Sequence, residues 1–333
     1  MTFIADRILI TGGSGFIGSH LVELAARTGH VVLNFDARKP DIPGQHKLWC
    51  YGDIKDAGTL ASAFVDFQPT RVIHLAAKAN LNGKTVEDFP DNTQGTENVI
   101  RCVNDTASVA FFVNTSTQYV VTPGVYPADP CHLEPYTAYG ESKAVAERAV
   151  RERCEKPWSI IRPTNIWGPR HPSFPLEMWR YLERRYYVHP GYQSIRKYYG
   201  YVGNAVRQIL DIALSERPIE ETGKVWYITD HAIDSSEWMN AFSLALSGKP
   251  VRRIPLALWR VMAITGDVIR SLGLRFPVNG DRLFRLTVNE CLPDGLIAKL
   301  DTADTISLEE GVAKSVEWYR RHQAGAADSG SWT

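Results

Sequence analysis

Ile8-Leu-Ile-Thr-Gly-Gly-Ser-Gly-Phe-Ile-Gly18 decides the fold of this chain. Arg7-Ile-Leu-Ile10 reads as a buried strand, Phe16 to Thr28 as a helix ending near Gly29, and Gly12, Gly15 and Gly18 recur at every third position between and within them. Glycines let the backbone turn sharply and approach a phosphate group closely. The helix that follows offers unpaired N–H groups and a partial positive charge. Alone the glycine pattern is weak; a strand before it and a helix after it make it a dinucleotide-binding turn.

Working outward, Val31-Val-Leu-Asn-Phe35 is a second strand, and Asp36 follows it, 18 residues past Gly18. A carboxylate there accepts hydrogen bonds from the ribose diol of NAD and repels the 2′-phosphate of NADP. Arg38, two residues on, softens that preference, so NAD ranks ahead of NADP. Arg71–Leu75, Ala110–Val113 and Trp158–Ile161 are further strands, and helical stretches lie near 56–67, 93–105 and 138–154. This alternation implies an α/β fold, a Rossmann-type doubly wound parallel sheet covered on both faces. After Arg162 the pattern breaks at Pro163, Pro169, Pro172 and Pro175, and Tyr181 to Tyr201 is dense in Tyr and Arg. Lys224–Ile228 is one more strand, Asp234-Ser-Ser-Glu237 a capping box, and Ser307–Arg321 a helix with Val312, Val316 and Tyr319 on one face. The expected division is a dinucleotide-binding domain over 1–165, with 196–230 returning to it. A smaller, interleaved C-terminal substrate domain takes 166–195 and 231–322, and a tail without fixed structure takes 323–333.

The chain has 333 residues, 44% hydrophobic and 22% charged, with 37 Lys plus Arg against 37 Asp plus Glu. That balance gives no nucleic-acid or membrane-surface footprint. The five cysteines include no C-x-x-C pair, which argues against zinc and for a reducing, cytoplasmic setting. No basic-plus-apolar signal segment opens the chain. Ile254 to Leu274 is the most apolar later stretch, but Arg260, Asp267 and Arg270 interrupt it, so it reads as an amphipathic helix packed on the body. His20, His46 and His74 lack metal-ligand spacing, and no metal is expected.

Tyr139-Gly-Glu-Ser-Lys143 places a phenol and an ammonium four residues apart, on one helix face. A phenol is a poor base at neutral pH, and a neighbouring cation brings its phenolate into working range. With Thr-Gly-Gly-Ser-Gly-Phe-Ile-Gly18, Gly52-Asp53-Ile54, His74-Leu-Ala-Ala77, Asn92-Thr-Gln-Gly-Thr96, Thr115-Ser-Thr117, Arg162-Pro-Thr-Asn165, Gly168-Pro169, Leu308-Glu-Glu-Gly311 and Val316-Glu-Trp-Tyr-Arg320, the chain resembles the extended short-chain dehydrogenase/reductases, especially the nucleotide-sugar epimerases and dehydratases. The resemblance runs from Arg7 to about Arg321.

It implies roles for particular residues. Gly12, Gly15, Phe16, Ile17 and Gly18 with Asp36 and Arg38 hold the dinucleotide, and Asp53 and Ile54 its adenine. Leu75, Ala76, Ala77, Thr115 and Thr164 line the cofactor path, and Asn92 supports the site backbone. Thr117 hydrogen-bonds the hydroxyl being oxidised, Tyr139 removes its proton, and Lys143 holds the nicotinamide ribose and lowers the Tyr139 pKa. Asn165 contacts the sugar or its diphosphate, Lys197 and Arg282 are candidate phosphate clamps, and Trp167 is the aromatic nearest the pocket. The resemblance also implies a homodimer, formed through the helices near 93–105 and 138–154.

The chain departs from that pattern on the substrate side. Dehydratases carry an acid after the catalytic Thr, where this chain has Gln118 and Tyr119; Val120-Val121-Thr122 and Lys197–Val202 also differ from the usual motifs. Neither Gln nor Tyr replaces a carboxylic acid. Epimerisation through a transient ketone is therefore the leading expectation, with a nucleotide-diphosphate sugar as substrate. Dehydration, or net NAD(P)-dependent oxidation or reduction of a sugar or a 3-hydroxysteroid-like alcohol, remain as alternatives. The stretch Ile254–Thr287 has some resemblance to that last branch.

Overall fold

The structure is a computed structural model and describes residues 5–80, 83–172, 174–274, 276–300 and 305–329. The first half alternates strand and helix: β1 (Arg7–Thr11), α1 (Phe16–Arg27), β2 (Val31–Asp36), β3 (Trp49–Tyr51), α2 (Ala57–Phe67), β4 (Arg71–His74), α3 (Thr96–Asp105), β5 (Phe111–Thr115), α4 (Ala138–Arg153) and β6 (Trp158–Pro163). The second half is irregular: β7 (Asn165–Trp167), α5 (Phe174–Glu183), β8 (Val188–Pro190), β9 (Arg196–Tyr201), α6 (Val202–Ala213), α7 (Pro218–Glu221), β10 (Lys224–Ile228), β11 (Ala232–Asp234), α8 (Ser235–Ser247), β12 (Arg252–Ile254), α9 (Leu256–Ser271), α10 (Gly280–Thr287) and α11 (Leu308–Ser329).

Seven strands form one parallel sheet in the order β10-β6-β5-β4-β1-β2-β3. Successive side chains of a strand point to opposite faces, and both faces are covered here. Ile8 and Ile10 pack with Leu21 and Val22 of α1 and Ala205 and Ile209 of α6. Leu9, between them, packs with Leu60 and Phe64 of α2 and Val99 and Val103 of α3. Every residue of β5 and β6 is buried, the polar Asn114, Thr115, Ser159 and Arg162 included. The strand order reverses at β1, which pairs with both β2 and β4. The crevice beyond the carboxyl ends of β1 and β4 is the ligand site of such sheets.

The smaller part holds a three-stranded sheet, β11-β9-β7, a β12–β8 pair and the helices around them. Arg196–Tyr201, which the sequence groups with the returning segment, instead pairs as β9 with β7 and β11; the return begins at Val202 and ends with β10 beside β6. Aromatic rings fill this core. Trp179 stacks on Phe242 at 5.3 Å, and Tyr199 stacks on Trp238 at 4.6 Å. The final helix runs on to Ser329, past Gln323, where the sequence reading ends the ordered chain. Ala324, Ala326 and Ala327 favour its continuation. Gly330–Thr333 lie outside the described residues.

One buried ion pair ties α4 to the sheet. The Arg162 Nε and Nη2 atoms on β6 each donate to a Glu147 carboxylate oxygen at 2.8 Å, and both side chains are fully buried. Arg162 also donates to the Tyr227 hydroxyl on β10 at 3.1 Å and the Pro130 carbonyl at 3.0 Å. Removing one partner strands the other's charge in the interior, at a cost of about 3–5 kcal/mol. Glu147→Gln is therefore expected to lower unfolding free energy by about that much in urea titrations, and Glu147→Leu/Arg162→Met by clearly less. Equal losses in the two variants would contradict this account.

Candidate active site

The turn after β1 is shaped by close approach. Gly12 has φ +73°, and a Cβ there would sit 2.5 Å from the Ala76 nitrogen; one on Gly18 would sit 2.2 Å from the Gly12 carbonyl oxygen. Gly15 occupies the N-cap of α1 and supplies no side chain to its first turn. The N–H groups there are left for a bound anion. Phe16 packs edge-on against His171, and Ile17 packs on the sheet core. The Asp36 carboxylate accepts the Ser14 N–H at 2.9 Å and the Arg38 N–H at 2.8 Å, and the Arg38 guanidinium donates to the Ser14 carbonyl. Asp53 pairs with Lys55 at 2.9 Å, while Ile54 is buried against Gly95.

Leu75, Ala76 and Ala77 leave β4 along this crevice, with the Leu75 N–H bonded to the Thr11 carbonyl at 3.0 Å. Thr164 bonds the Ile228 carbonyl at the neighbouring strand ends. At the end of β5 the Thr115 and Ser116 hydroxyls and the Asn114 amide are buried with no hydrogen-bond partner. Buried polar groups seldom stay unpaired. These orphans, with the open first turn of α1 and the Asp36 carboxylate, fit a polar ligand such as a dinucleotide.

Helix α4 is held against this crevice by a chain of hydrogen bonds. The Ala76 N–H lies 3.3 Å from Thr11 Oγ1, which lies 2.6 Å from His74 Nδ1; His74 Nε2 lies 3.1 Å from Thr96 Oγ1, which bonds the Asn92 carbonyl at 2.9 Å. Burial lowers the His74 pKa to about 3, so the ring is neutral. One donor direction through the chain then assigns the proton to Nε2. Asn92 sits in a π-turn, Asp91–Gly95; its side chain grips both the N–H and carbonyl of Lys78 and donates to Ser142 Oγ at 2.8 Å. Ser142 in turn donates to the Tyr139 carbonyl at 2.7 Å.

Thr137 caps α4 by accepting the Gly140 N–H at 3.0 Å. A Cβ on Gly140 would meet the Tyr119 carbonyl oxygen at 2.3 Å, so glycine lets α4 close on the loop after β5. That approach puts the Tyr139 hydroxyl in hydrogen-bond contact with the buried Thr117 side chain. Burial pushes the Tyr139 phenol up to about 12, partly offset by Thr117. Burial pulls the Lys143 ammonium down to about 8, partly offset by Glu147 one turn on. A bound cation beside Tyr139 favours its phenolate.

On the substrate side the structure corrects three expectations. Trp167 is not in the pocket: it is 3% exposed and packs edge-on against Tyr201, Trp238 and Phe242 in the small-domain core. Arg282 turns away to donate to the Pro277 carbonyl at 2.5 Å; Arg285, one turn along α10, is the arginine that bonds the Tyr119 hydroxyl. Lys197 is not a free clamp, since it pairs with Glu290 at 3.0 Å. The other Glu290 oxygen accepts the Tyr198 N–H at 3.1 Å, Asn165 Nδ2 lies 3.3 Å from it, and Gln118 Nε2 donates to Asn165 Oδ1 at 3.2 Å. Glu290, Gln118 and Tyr119 line a shallow, open cleft walled by Val121, Pro123 and Val125. Glu290 and Arg285 escaped the sequence reading; neither lies in a motif, and no spacing links position 290 to 197.

Both the fold and these residues place the chain in a known class. The NAD dependent epimerase/dehydratase family model matches residues 8–213, more than half of the chain. The chain belongs to that family, and its cofactor is NAD. It is 32% identical to the 3 beta-hydroxysteroid dehydrogenase/Delta 5-->4-isomerase of Mycobacterium tuberculosis, over 81% of this chain and 75% of that one. It is 29% identical to the N-acetyl-alpha-D-glucosaminyl-diphospho-ditrans,octacis-undecaprenol 4-epimerase of Escherichia coli O157:H7, over 61% of this chain and 62% of that one. Among solved structures, UDP-glucose 4-epimerase of Thermotoga maritima, crystallised with UDP-glucose, superposes with a TM-score of 0.69 at 21% identity, covering 95% and 99% of the two chains.

Lys143 carries a testable sign. Its folded pKa lies below the ordinary 10.5, so the folded state binds fewer protons between about pH 8 and 10.5. The penalty for burying the charge is present in full below that window and fades as pH rises through it. Lys143→Met is expected to raise the melting temperature of the cofactor-free protein at pH 7, to lose that gain near pH 10.5, and to cut turnover by about two orders of magnitude or more. Calorimetry at the two pH values checks this; a lower melting temperature at pH 7 contradicts it.

Proposed function

We propose that this enzyme oxidises a secondary ring alcohol of an uncharged, hydroxysteroid-like substrate to a ketone. The observation that carries this reading is the Lys197–Glu290 pair. A nucleotide sugar brings a diphosphate, which needs unpaired cations; the one lysine expected to supply a clamp is already neutralised, and a Glu290 carboxylate stands beside it. The likeness to a hydroxysteroid dehydrogenase over most of the chain supports the same choice.

The roles follow from position. The Thr117 hydroxyl hydrogen-bonds the substrate oxygen. Tyr139, as phenolate, takes the hydroxyl proton as the C–H bond gives up its hydride. Lys143 supplies the positive charge that favours the phenolate. When bound, NAD would supply the hydride acceptor for a net oxidation. Gln118 and Tyr119 offer no carboxylic acid, which weakens the dehydration reading. A redox-neutral epimerase of a nucleotide sugar is the second reading, supported by the likeness to 4-epimerases. It uses the same three residues but returns the hydride.

The purified enzyme would be incubated with 3β-hydroxysteroids and with UDP-, dTDP-, GDP- and CDP-sugars, with and without added NAD. A steroid ketone lighter by two hydrogens, formed with one NADH, is the expected result. A nucleotide-sugar isomer of unchanged mass, formed without added NAD, would replace this reading with the second. Glu290→Gln, by freeing Lys197, is expected to create UDP binding in calorimetry where the unaltered enzyme shows none. Tight UDP binding by the unaltered enzyme would sink the charge argument.

A further inference from the structure

We propose that the outer face of α9 is a docking surface for an anionic phospholipid membrane, on which the helix lies flat. The sequence reading expects this amphipathic stretch to pack on the body and expects no membrane partner. Only one side of it is packed. Trp259, Ala263 and Gly266 are buried, and a Cβ on Gly266 would lie 1.8 Å from the Val278 carbonyl oxygen, so glycine lets the helix close against the segment before α10. The opposite side is apolar too. Leu258, Val261, Ile264 and Val268 form a stripe at helical spacing, continued by Leu272 and Leu274, each between 54% and 72% exposed. Six of the sixteen large hydrophobic side chains exposed among the described residues therefore fall on this one short stretch.

A helix that is apolar on both sides needs cover on both. The stripe is too small to hold a second copy of the chain. A 16-residue helix is about 24 Å long and about 10 Å wide, so it offers roughly 240 Å², against about 800 Å² per partner in a stable interface. Its charge selects the occupant. Arg260 and Arg270 are exposed, with no ion-pair partner among the described residues. The one acid of the helix, Asp267, turns its carboxylate to the Gly280 N–H at 3.0 Å. Apolar side chains with unpaired arginines are the composition of helices that lie in the lipid headgroup region. No helix among the described residues is long and apolar enough to cross a membrane, so α9 rests on the surface.

The helix packs on α10, whose Arg285 reaches Tyr119 in the cleft, so docking would hold the substrate side close to the lipid. The docking stands apart from the substrate assignment: it is measured without substrate or cofactor. The whole protein would be sedimented with vesicles of phosphatidylcholine alone and with vesicles containing phosphatidylglycerol. The expected result is binding to the anionic vesicles that weakens as salt rises, little binding to the neutral ones, and a loss of about fivefold or more in Ile264→Glu/Val268→Glu. Both replaced side chains are exposed, so the variant should keep its melting temperature and its turnover in vesicle-free solution. The proposal is overturned if the unaltered protein stays in the supernatant with both vesicles, if neutral vesicles bind as well as anionic ones, or if the variant binds undiminished. It is equally overturned if gel filtration shows a dimer that the variant dissolves.

Discussion

Two opposite charges buried together, Glu147 and Arg162, fix where α4 and its Tyr139–Lys143 pair can sit. A buried pair is demanding, because each charge is tolerated only while the other holds its position. Arg162 belongs to β6, and it also binds Tyr227 of β10 and the Pro130 carbonyl. The pair thus joins α4, two strands and the loop after β5 at one point. Tyr139, Lys143 and Glu147 follow one another at four-residue intervals, so anchoring the last also orients the first two along the same face. It also places a negative charge near Lys143, which resists the loss of its proton.

The second fixture runs across the sheet rather than along the helix. From the Ala76 N–H through Thr11, His74 and Thr96 to Asn92, each donor faces the next acceptor, and the Asn92 amide continues to Ser142. His74 is useful here because burial keeps it neutral, with one nitrogen donating and the other accepting. The glycine turn and α4 are therefore spaced by hydrogen bonds of fixed length rather than by loop conformation.

What could be read from the sequence is what has a period or a local motif. The strand–turn–helix at Gly12–Gly18, the alternation that makes the parallel sheet and the Tyr139–Lys143 spacing depend on neighbours within a few residues. The three-residue β3 at Trp49–Tyr51 is too short to carry a pattern in the sequence. Sequence neighbours that resemble pocket residues, Asn165 and Gly168, point Trp167 to the pocket, whereas its contacts come from Tyr201, Trp238 and Phe242, 34 or more positions away. The Lys197–Glu290 pair spans 93 positions, so neither residue signals the other. The stretch over α9 was legible as amphipathic, but an apolar residue in sequence does not disclose whether anything covers it.

The position of β10 bears on how the protein can be divided. It is the outermost strand beside β6, yet it arrives only after the chain has entered the small sheet through β7 and β9 and come back through α6. A fragment ending after Pro163 would hold every residue of the glycine turn and the Tyr139–Lys143 pair. It would lack Tyr227 against Arg162, and it would leave β6, buried on both faces in the whole protein, as an open strand edge. Such edges template pairing with other chains. The half that looks autonomous by motif is thus expected to self-associate when made alone, and the two parts must be synthesised as one chain to stay soluble.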